Sequence, residues 1–415
     1  MKNLIYLLLL SMTIPSCKKE EARQVNQYTI EQFYTNTRFE GGTFSADETR
    51  LLVGSDETGI FNLYEITLAD GAKKQLTTST VESYYPVDYV PGMSALIYSA
   101  DKGGNEIDHL YLLEDNGKTT DLTPGENNKV SFFKWSEDKK SMFYISNIRD
   151  PKYFDVYKMN IGEWIPTLFY ENKSGLDVNE ISDDEKTLVV SKTVTTSENE
   201  LYLVNKETGT QTELSLPDQK GRYGVSGFSK DNKYVFYLTD GGKEFTYLVQ
   251  YDMNSGERKV LYETNWDVMY TFLSEKETYR VIAINEDGKN TIIMQDAASG
   301  KTIDFPAIPD GDILGVEISD SEKLMRLSVG TSKAPNNIYL YNLETKELKK
   351  LTESLNKEIN ADDLVSAEVV RYKSFDGLDI PAIYYKPHQA SPEQKVPALV
   401  WVHGGPGGQS RTGYF

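Results

Sequence analysis

A short turn recurs along this chain at a nearly constant interval, and that recurrence restricts the possible folds more than any other feature. Ser45-Ala46-Asp47, Ser136-Glu137-Asp138, Ser182-Asp183-Asp184, Ser229-Lys230-Asp231, Ser274-Glu275-Lys276 and Ser319-Asp320-Ser321 each sit between two apolar runs. Pro91-Gly92 holds the equivalent place in the second unit. The interval is about 45 to 47 residues, the length of a four-stranded propeller blade. Ser and Asp side chains bond nearby backbone and stabilise tight reversals between strands. Each turn is followed by an alternating strand, such as Leu51-Leu52-Val53-Gly54 or Tyr234-Val235-Phe236-Tyr237. A second strand of the type Asn62-Leu63-Tyr64, His109-Leu110-Tyr111 or Asn337-Ile338-Tyr339 comes next, and then a closing strand. Three closing strands end alike, in Leu76-Thr77, Leu122-Thr123 and Leu351-Thr352. Seven such units, spanning residues 39–353, predict an all-β seven-bladed β-propeller. A β-sandwich array would not need so uniform a period. The blades carry no Gly-His…Trp-Asp pattern, so the WD-type interaction propeller is a poor match.

At 415 residues the chain is too long for the propeller to be its whole content. Its 28 tyrosines suit strands. A net charge of −19 excludes a nucleic-acid partner, since phosphate binding requires clustered Lys and Arg. The three histidines, His109, His388 and His403, form no metal spacing, so neither zinc nor any cofactor is expected. Acidic turns such as Asp183-Asp184-Glu185 read as solvated turns rather than calcium ligands. Trp135, Trp164, Trp266 and Trp401 read as core or groove residues. Lys2, the apolar stretch Leu4 to Leu10 and Ile14-Pro15-Ser16-Cys17 resemble a bacterial lipoprotein signal. Residues 1–16 would then be the signal peptide and 17–38 a polar tether and lead-in. Cys17 is the only cysteine, so no intrachain disulfide forms, and lipidation accounts for it. The expected location is the bacterial cell envelope, on its periplasmic or surface face, with the membrane reached through a lipid on Cys17.

Beyond the repeats, residues 354–365 are polar and acidic, the composition of a linker. Ala367 to Tyr372 and Ile380 to Tyr385 read as strands around an Asp376-Gly377 turn. Pro381 marks the second as an edge strand or a bulged one. Ala398 to Val402 reads as a buried strand, and it breaks into His403-Gly404-Gly405-Pro406-Gly407-Gly408-Gln409. An apolar run ending in His-Gly-Gly-Pro is how an α/β-hydrolase leaves a central strand for the loop that supplies an oxyanion-hole amide.

A seven-bladed propeller followed by Phe375-Asp376-Gly377, a Tyr-Tyr-Lys-Pro segment and Val-His-Gly-Gly-Pro-Gly-Gly-Gln resembles the prolyl oligopeptidase family of serine peptidases. The form is most similar to its acylaminoacyl-peptidase and dipeptidyl-aminopeptidase-like branch. The resemblance implies that 366–415 hold the first strands of an α/β-hydrolase domain, incomplete here. It implies acyl transfer on short peptides, with the propeller gating access. The oxyanion donor maps to the backbone N–H of Gly405, with His403, Gly404 and Pro406 supporting the loop. Such a donor is worth about 3 to 4 kcal/mol in the transition state. His403 is not the base, which in this family lies late in the hydrolase domain. The Ser, Asp and His of the triad are expected beyond Phe415, so residues 1–415 alone are expected to be inactive. Gly408-Gln409-Ser410-Arg411-Thr412 departs from Gly-x-Ser-x-Gly, and Gly224-Val225-Ser226-Gly227 has the wrong spacing. The only adjacent glutamates, Glu20-Glu21, lie in the tether, which leaves dipeptidyl specificity unsupported. The chain is also similar to propellers that serve as periplasmic scaffolds, a binding role without catalysis. About fifty hydrolase residues cannot bury a core, so the segment past Leu364 is expected to be mobile or to aggregate.

Overall fold

The computed structural model describes residues 24–405 and 407–414. The expected signal segment, Cys17 and Pro406 lie outside the described residues. Seven four-stranded antiparallel sheets follow one another, each with its strands in chain order. They occupy residues 39–75, 85–121, 130–170, 177–213, 223–262, 267–303 and 312–350, numbered below as blades 1 to 7. The expected propeller is therefore present. One apolar cluster fills each of the seven blade junctions, including Leu51, Val53, Tyr64 and Ile66 of blade 1 against Ile338 of blade 7. That last junction closes the ring by packing and side-chain hydrogen bonds with no strand shared between its ends, because all four strands of blade 7 come from residues 312–350.

The recurring turn owes its sequence to hydrogen bonds. In blade 1 the Ser45 hydroxyl donates to Asp47 at 2.6 Å, and Asp47 accepts the Thr49 N–H at 3.1 Å. The hydroxyls of Ser45 and Thr49 hold the Asp47 carboxyl down to about 2. Ser136–Asp138, Ser182–Asp184 and Ser229–Asp231 repeat the contact at 2.7 Å. The fourth residue of each turn is left-handed, as in Glu48 (φ 53°), Asn232 (54°) and Glu322 (62°). In the second unit, where Pro-Gly replaces Ser-x-Asp, the left-handed residue comes one place earlier, at Gly92 (φ 72°). These left-handed residues also link the blades. The backbone N–H groups of Asp183, Lys230, Lys276 and Ser321 donate to the side chains of Asn232, Glu277, Glu322 and Glu48, each on the next blade's turn. The last of these bonds crosses the closure from blade 7 to blade 1.

The closing Leu-Thr pairs have an equally local cause. The hydroxyls of Thr77, Thr123 and Thr352 accept the N–H of Leu63, Leu110 and Ile338. Each continues the ladder on the third strand after the fourth strand has turned away. Every first strand carries a β-bulge, three residues before the turn in blades 1 to 5 and five before it in blades 6 and 7, with Gly42, Val87, Phe133, Asn179, Ser226, Met269 or Leu314 as the extra residue. A bulge sharpens local twist, which suits the strand that starts each blade at the crowded axis.

The chain enters and leaves the ring side by side. Thr37 N–H bonds Ser354 O at 2.9 Å, and Tyr28 donates its hydroxyl to Asp363 at 2.7 Å. A short helix, Ile30–Tyr34, starts on a capping box formed by Thr29 and Gln32. After the linker, strands Glu368–Lys373 and Asp379–Tyr384 pair as a two-stranded hairpin around Gly377 (φ 89°). Pro381 sits in the second, where a ribbon's open edge spares its missing N–H.

The expected buried strand at Ala398 to Val402 is not formed. Leu399, Val400, Trp401 and Val402 are 89, 84, 74 and 81 % exposed and unpaired. A strand is held by its neighbours, and among the described residues the hairpin pairs only with itself. Past the ring the described residues thus hold one hairpin and an exposed, unpaired run, and the expected first strands of an α/β-hydrolase sheet are not seen.

Candidate active-site segment

In an antiparallel meander, the turns from second to third strand open on the same face as the connections between blades. The segment after the hairpin lies on that face, opposite the Ser-x-Asp turns. Arg371 of the hairpin pairs with Asp287 in the second-to-third-strand turn of blade 6. Asn285 donates to Gln409 at 2.8 Å, and the Thr412 N–H bonds Gly288 O at 3.1 Å. Asn36, from the segment entering the ring, donates to the Tyr414 hydroxyl at 3.3 Å. The Tyr385 hydroxyl reaches Gly413 O at 3.4 Å. A cleft of about 270 Å³ remains between hairpin and blade, lined by Glu286, Lys289, Asp310, Val369 and Thr412.

The glycine-rich loop lies between the extended run and these anchors. Gly405 has φ 140°, and a Cβ there would meet Gly408 N at 2.8 Å. A Cβ on Gly408 would meet Gly404 O at 2.7 Å. The loop is wound too tightly for side chains at either position, which leaves peptide groups as its available surface. His403 donates from Nδ1 to Gly404 O at 2.8 Å, which sets its tautomer and ties the ring to the loop backbone. His403, Gly404 and Gly405 are all exposed. The loop thus brings three of the expected site residues together.

The remaining candidates go elsewhere. His109 is buried in blade 2 between Asp121 at 2.8 Å and Gly125 O at 2.9 Å. His388 reaches Leu364 O at 3.2 Å. Asp183 and Glu185 pair with Lys134 and Lys158, and Asp184 caps its own turn. Ser226 is a bulge residue of blade 5. Trp135, Trp164 and Trp266 pack in blade junctions, whereas Trp401 is exposed rather than in a core or groove.

Around the axis the first strands carry charge. Lys134 bridges Glu180 and Asp183 at 3.0 and 3.4 Å, and Arg326 pairs with Glu317 at 2.9 Å. The Arg326 guanidinium occupies the space left by Gly42, where a Cβ would meet its Nε at 2.9 Å. Asp88 accepts the indole N–H of Trp135 from the next blade at 2.8 Å, and burial pushes its carboxyl up to about 6. A second concavity, of about 530 Å³, opens where blade 2 meets blade 3 and is lined by Glu82, Tyr85, Asp101, Glu106, Asp108 and Lys129.

The closed ring of seven four-stranded blades makes the chain a seven-bladed β-propeller protein. The family model described as the N-terminal β-propeller domain of prolyl oligopeptidase matches residues 87–354, well over half of the chain. The chain therefore belongs to the prolyl oligopeptidase family of serine peptidases. No curated protein matches it in sequence. Among solved structures it is similar to a prolyl endopeptidase, with a TM-score of 0.66 at 17 % identity over 85 % of this chain and 55 % of that one. Prolyl oligopeptidase B of Galerina marginata, bound to a 35mer hydrolysis and macrocyclization substrate, gives 0.65 at 16 % identity over 85 and 55 %. A puromycin-hydrolyzing peptidase of Mycobacterium tuberculosis gives 0.69 at 13 % identity over 92 and 64 %. At these identities the likeness is one of fold. It covers more of this chain than the blades alone occupy, and the chain spans between half and two-thirds of those proteins' length.

Proposed function

We propose that residues 366–414 open an α/β-hydrolase domain, and that the chain is the propeller and oxyanion-loop portion of a peptidase cleaving short peptides by acyl transfer. The observation that carries this is the joining of a prolyl oligopeptidase propeller to a loop whose glycines, Gly405 and Gly408, admit no Cβ. In that role the Gly405 N–H stabilises the oxyanion, while His403 shapes the loop through its bond to Gly404 O. The exposed run Leu399 to Val402 is the strand that the rest of a hydrolase sheet would flank on both sides. The ring, built over the same face as the loop, restricts which peptides reach it. Residues 1–16 act as a lipoprotein signal, and lipid on Cys17 anchors the protein in the cell envelope.

The test uses a protein in which residues 1–415 are followed by the continuation of the reading frame. It is expected to react with a fluorophosphonate, whereas residues 1–415 alone stay unlabelled. In the longer protein Gly405→Val is expected to lower kcat on a short peptide roughly 10²- to 10³-fold, the loss associated with one oxyanion donor. Labelling of residues 1–415, or an undiminished kcat, would overturn the reading. The anchor is tested separately: incorporation of an alkyne-tagged fatty acid should vanish in Cys17→Ser.

A further inference from the structure

We infer that Arg411 is a positioning residue whose guanidinium, seated between blades 6 and 7, holds the glycine-rich loop at a fixed place on the propeller. Its Nη2 donates to Asn290 Oδ1 at 2.8 Å and lies 3.2 and 3.5 Å from the two oxygens of Asp312. Asn290 and Asp312 are only 7 and 4 % exposed, so this is a buried polar pair and not a surface contact. Asp312 Oδ1 also accepts the backbone N–H of Asn290 at 2.7 Å.

The way the other blades satisfy the same position shows what is unusual here. A polar residue in the first half of the third strand commonly bonds the chain as it leaves that blade. Asn62 bonds Ser79 N and O, Asn199 bonds Tyr223 N and O, and Asn337 bonds Ser354. His109 does the same through Gly125 O. Blade 3 uses a buried aspartate, Asp155, and supplies its cation from within the blade: Arg149 donates to it at 2.6 and 2.9 Å. In blade 6 the corresponding side chain, Asn290, instead accepts from Arg411, outside the propeller, and the same guanidinium reaches Asp312 at the start of blade 7. The buried carboxylate of Asp312 is matched by an arginine that follows the glycine loop. Withdrawing Arg411 leaves that carboxylate without its cation, a buried charge that the fold tolerates poorly.

The neighbouring contacts fix the direction of the chain around this anchor. Thr412 is buried and bonds Gly288 O, Gln409 meets Asn285, and a Cβ on Gly288 would come within 3.1 Å of Ser410 O. Gln409 to Thr412 therefore lie flat on the blade 6 turn, and Gly408 begins where they end. The assignment of a catalytic purpose to this placement rests on the function proposed above; the docking itself does not.

The experiment uses residues 1–415 unchanged except at one site. Hydrogen exchange of peptides covering 404–414 is compared in the parent protein, in Arg411→Met, which keeps length and loses charge, and in Arg411→Lys. Arg411→Met is expected to speed exchange at Thr412 roughly ten- to a hundredfold, and Arg411→Lys to restore most of the protection. Amides in the middle of blade 6, at Val281 to Ile284, report whether the ring itself stays folded. As an independent measure, Asn285→Cys with Gln409→Cys, in a Cys17→Ser background, is joined by a short dithiol-reactive linker. The yield should fall at least severalfold when Arg411→Met is added. Unchanged exchange in Arg411→Met, a lysine variant as unprotected as methionine, or an unchanged cross-linking yield would each overturn the inference. None of these outcomes depends on fluorophosphonate reactivity, so the two proposals fail separately.

Discussion

Ile338→Ala is expected to cost about 2–5 kcal/mol and to open the ring at one particular junction. Ile338 is buried against Leu51, Val53, Tyr64 and Ile66, all of them fully buried residues of blade 1. Truncation loses the transfer energy of the missing atoms and leaves a cavity lined by residues that belong to two blades. The other six junctions are each spanned by a covalent connection from one blade to the next, and this one is not. Leu188→Ala, equally buried between blades 3 and 4, removes a similar volume where the chain itself keeps the blades adjacent. Both variants should lower the urea midpoint. Only Ile338→Ala should also broaden the transition and speed amide exchange on the facing edges of blades 1 and 7. Glu48→Ala attacks the same closure from the turn side, leaving the hydroxyl of Ser319 and the N–H of Ser321 without their acceptor. It should cost about 1–3 kcal/mol. Because the two sites hold one junction, the double variant should depart from additivity. Equal behaviour of Ile338→Ala and Leu188→Ala, in both midpoint and exchange, would show that closure is no weaker than any other junction.

The features legible in the residues were those whose cause is local. Ser45 and Asp47 are two positions apart and bond each other, so the turn announces itself wherever the pair recurs. Thr77 and Leu63 are joined across one hairpin, and the Leu-Thr ending marks that bond in three blades. The bulges left no trace, because Gly42, Val87, Phe133, Asn179, Ser226, Met269 and Leu314 share a backbone role and no side-chain chemistry. The chain of turn-to-turn bonds was hidden for a different reason. Glu277 and Glu322 look like ordinary left-handed turn residues until the neighbouring blade supplies their donors. Around the glycine loop the composition was readable and the partnership was not. An apolar run such as Ala398 to Val402 states what a strand would need, but pairing depends on segments that its own residues do not encode. Gly408 to Thr412 attracted attention for its serine, whereas the structure uses the arginine, whose partner Asp312 is 99 positions away.

Asp88 should give the protein a pH dependence opposite in sign to that of its turn carboxylates. Asp88 lies on the first strand of blade 2, bonded to the Trp135 indole and the Tyr89 N–H. Burial, with a smaller contribution from Glu317, raises it from the ordinary 3.8 to about 6. Below pH 4 it is protonated in both the folded and unfolded chain. Between about 4 and 6 the folded state holds the proton and the unfolded state has released it, so stability falls as pH rises through that interval. Above it the deficit is constant, about 3 kcal/mol at 1.36 kcal/mol per pH unit. Asp47 and Asp231, both held near 2, work the other way and lose their contribution as pH falls from about 4 towards 2. The two effects separate in Asp88→Asn, which cannot titrate. Its amide can accept from only one of the two donors, which adds a destabilisation that does not vary with pH. The informative quantity is therefore the parent's stability minus the variant's, measured by urea denaturation from pH 4 to 7.5. That difference should fall by about 2–3 kcal/mol across the range, with its midpoint between 4 and 6. Glu317→Gln in the parent background should move the midpoint down, since the negative charge of Glu317 on blade 7 helps to raise the Asp88 carboxyl. A difference that stays flat with pH would mean that the Asp88 carboxylate is solvated, and that the bond to Trp135 joins blades 2 and 3 without a buried charge.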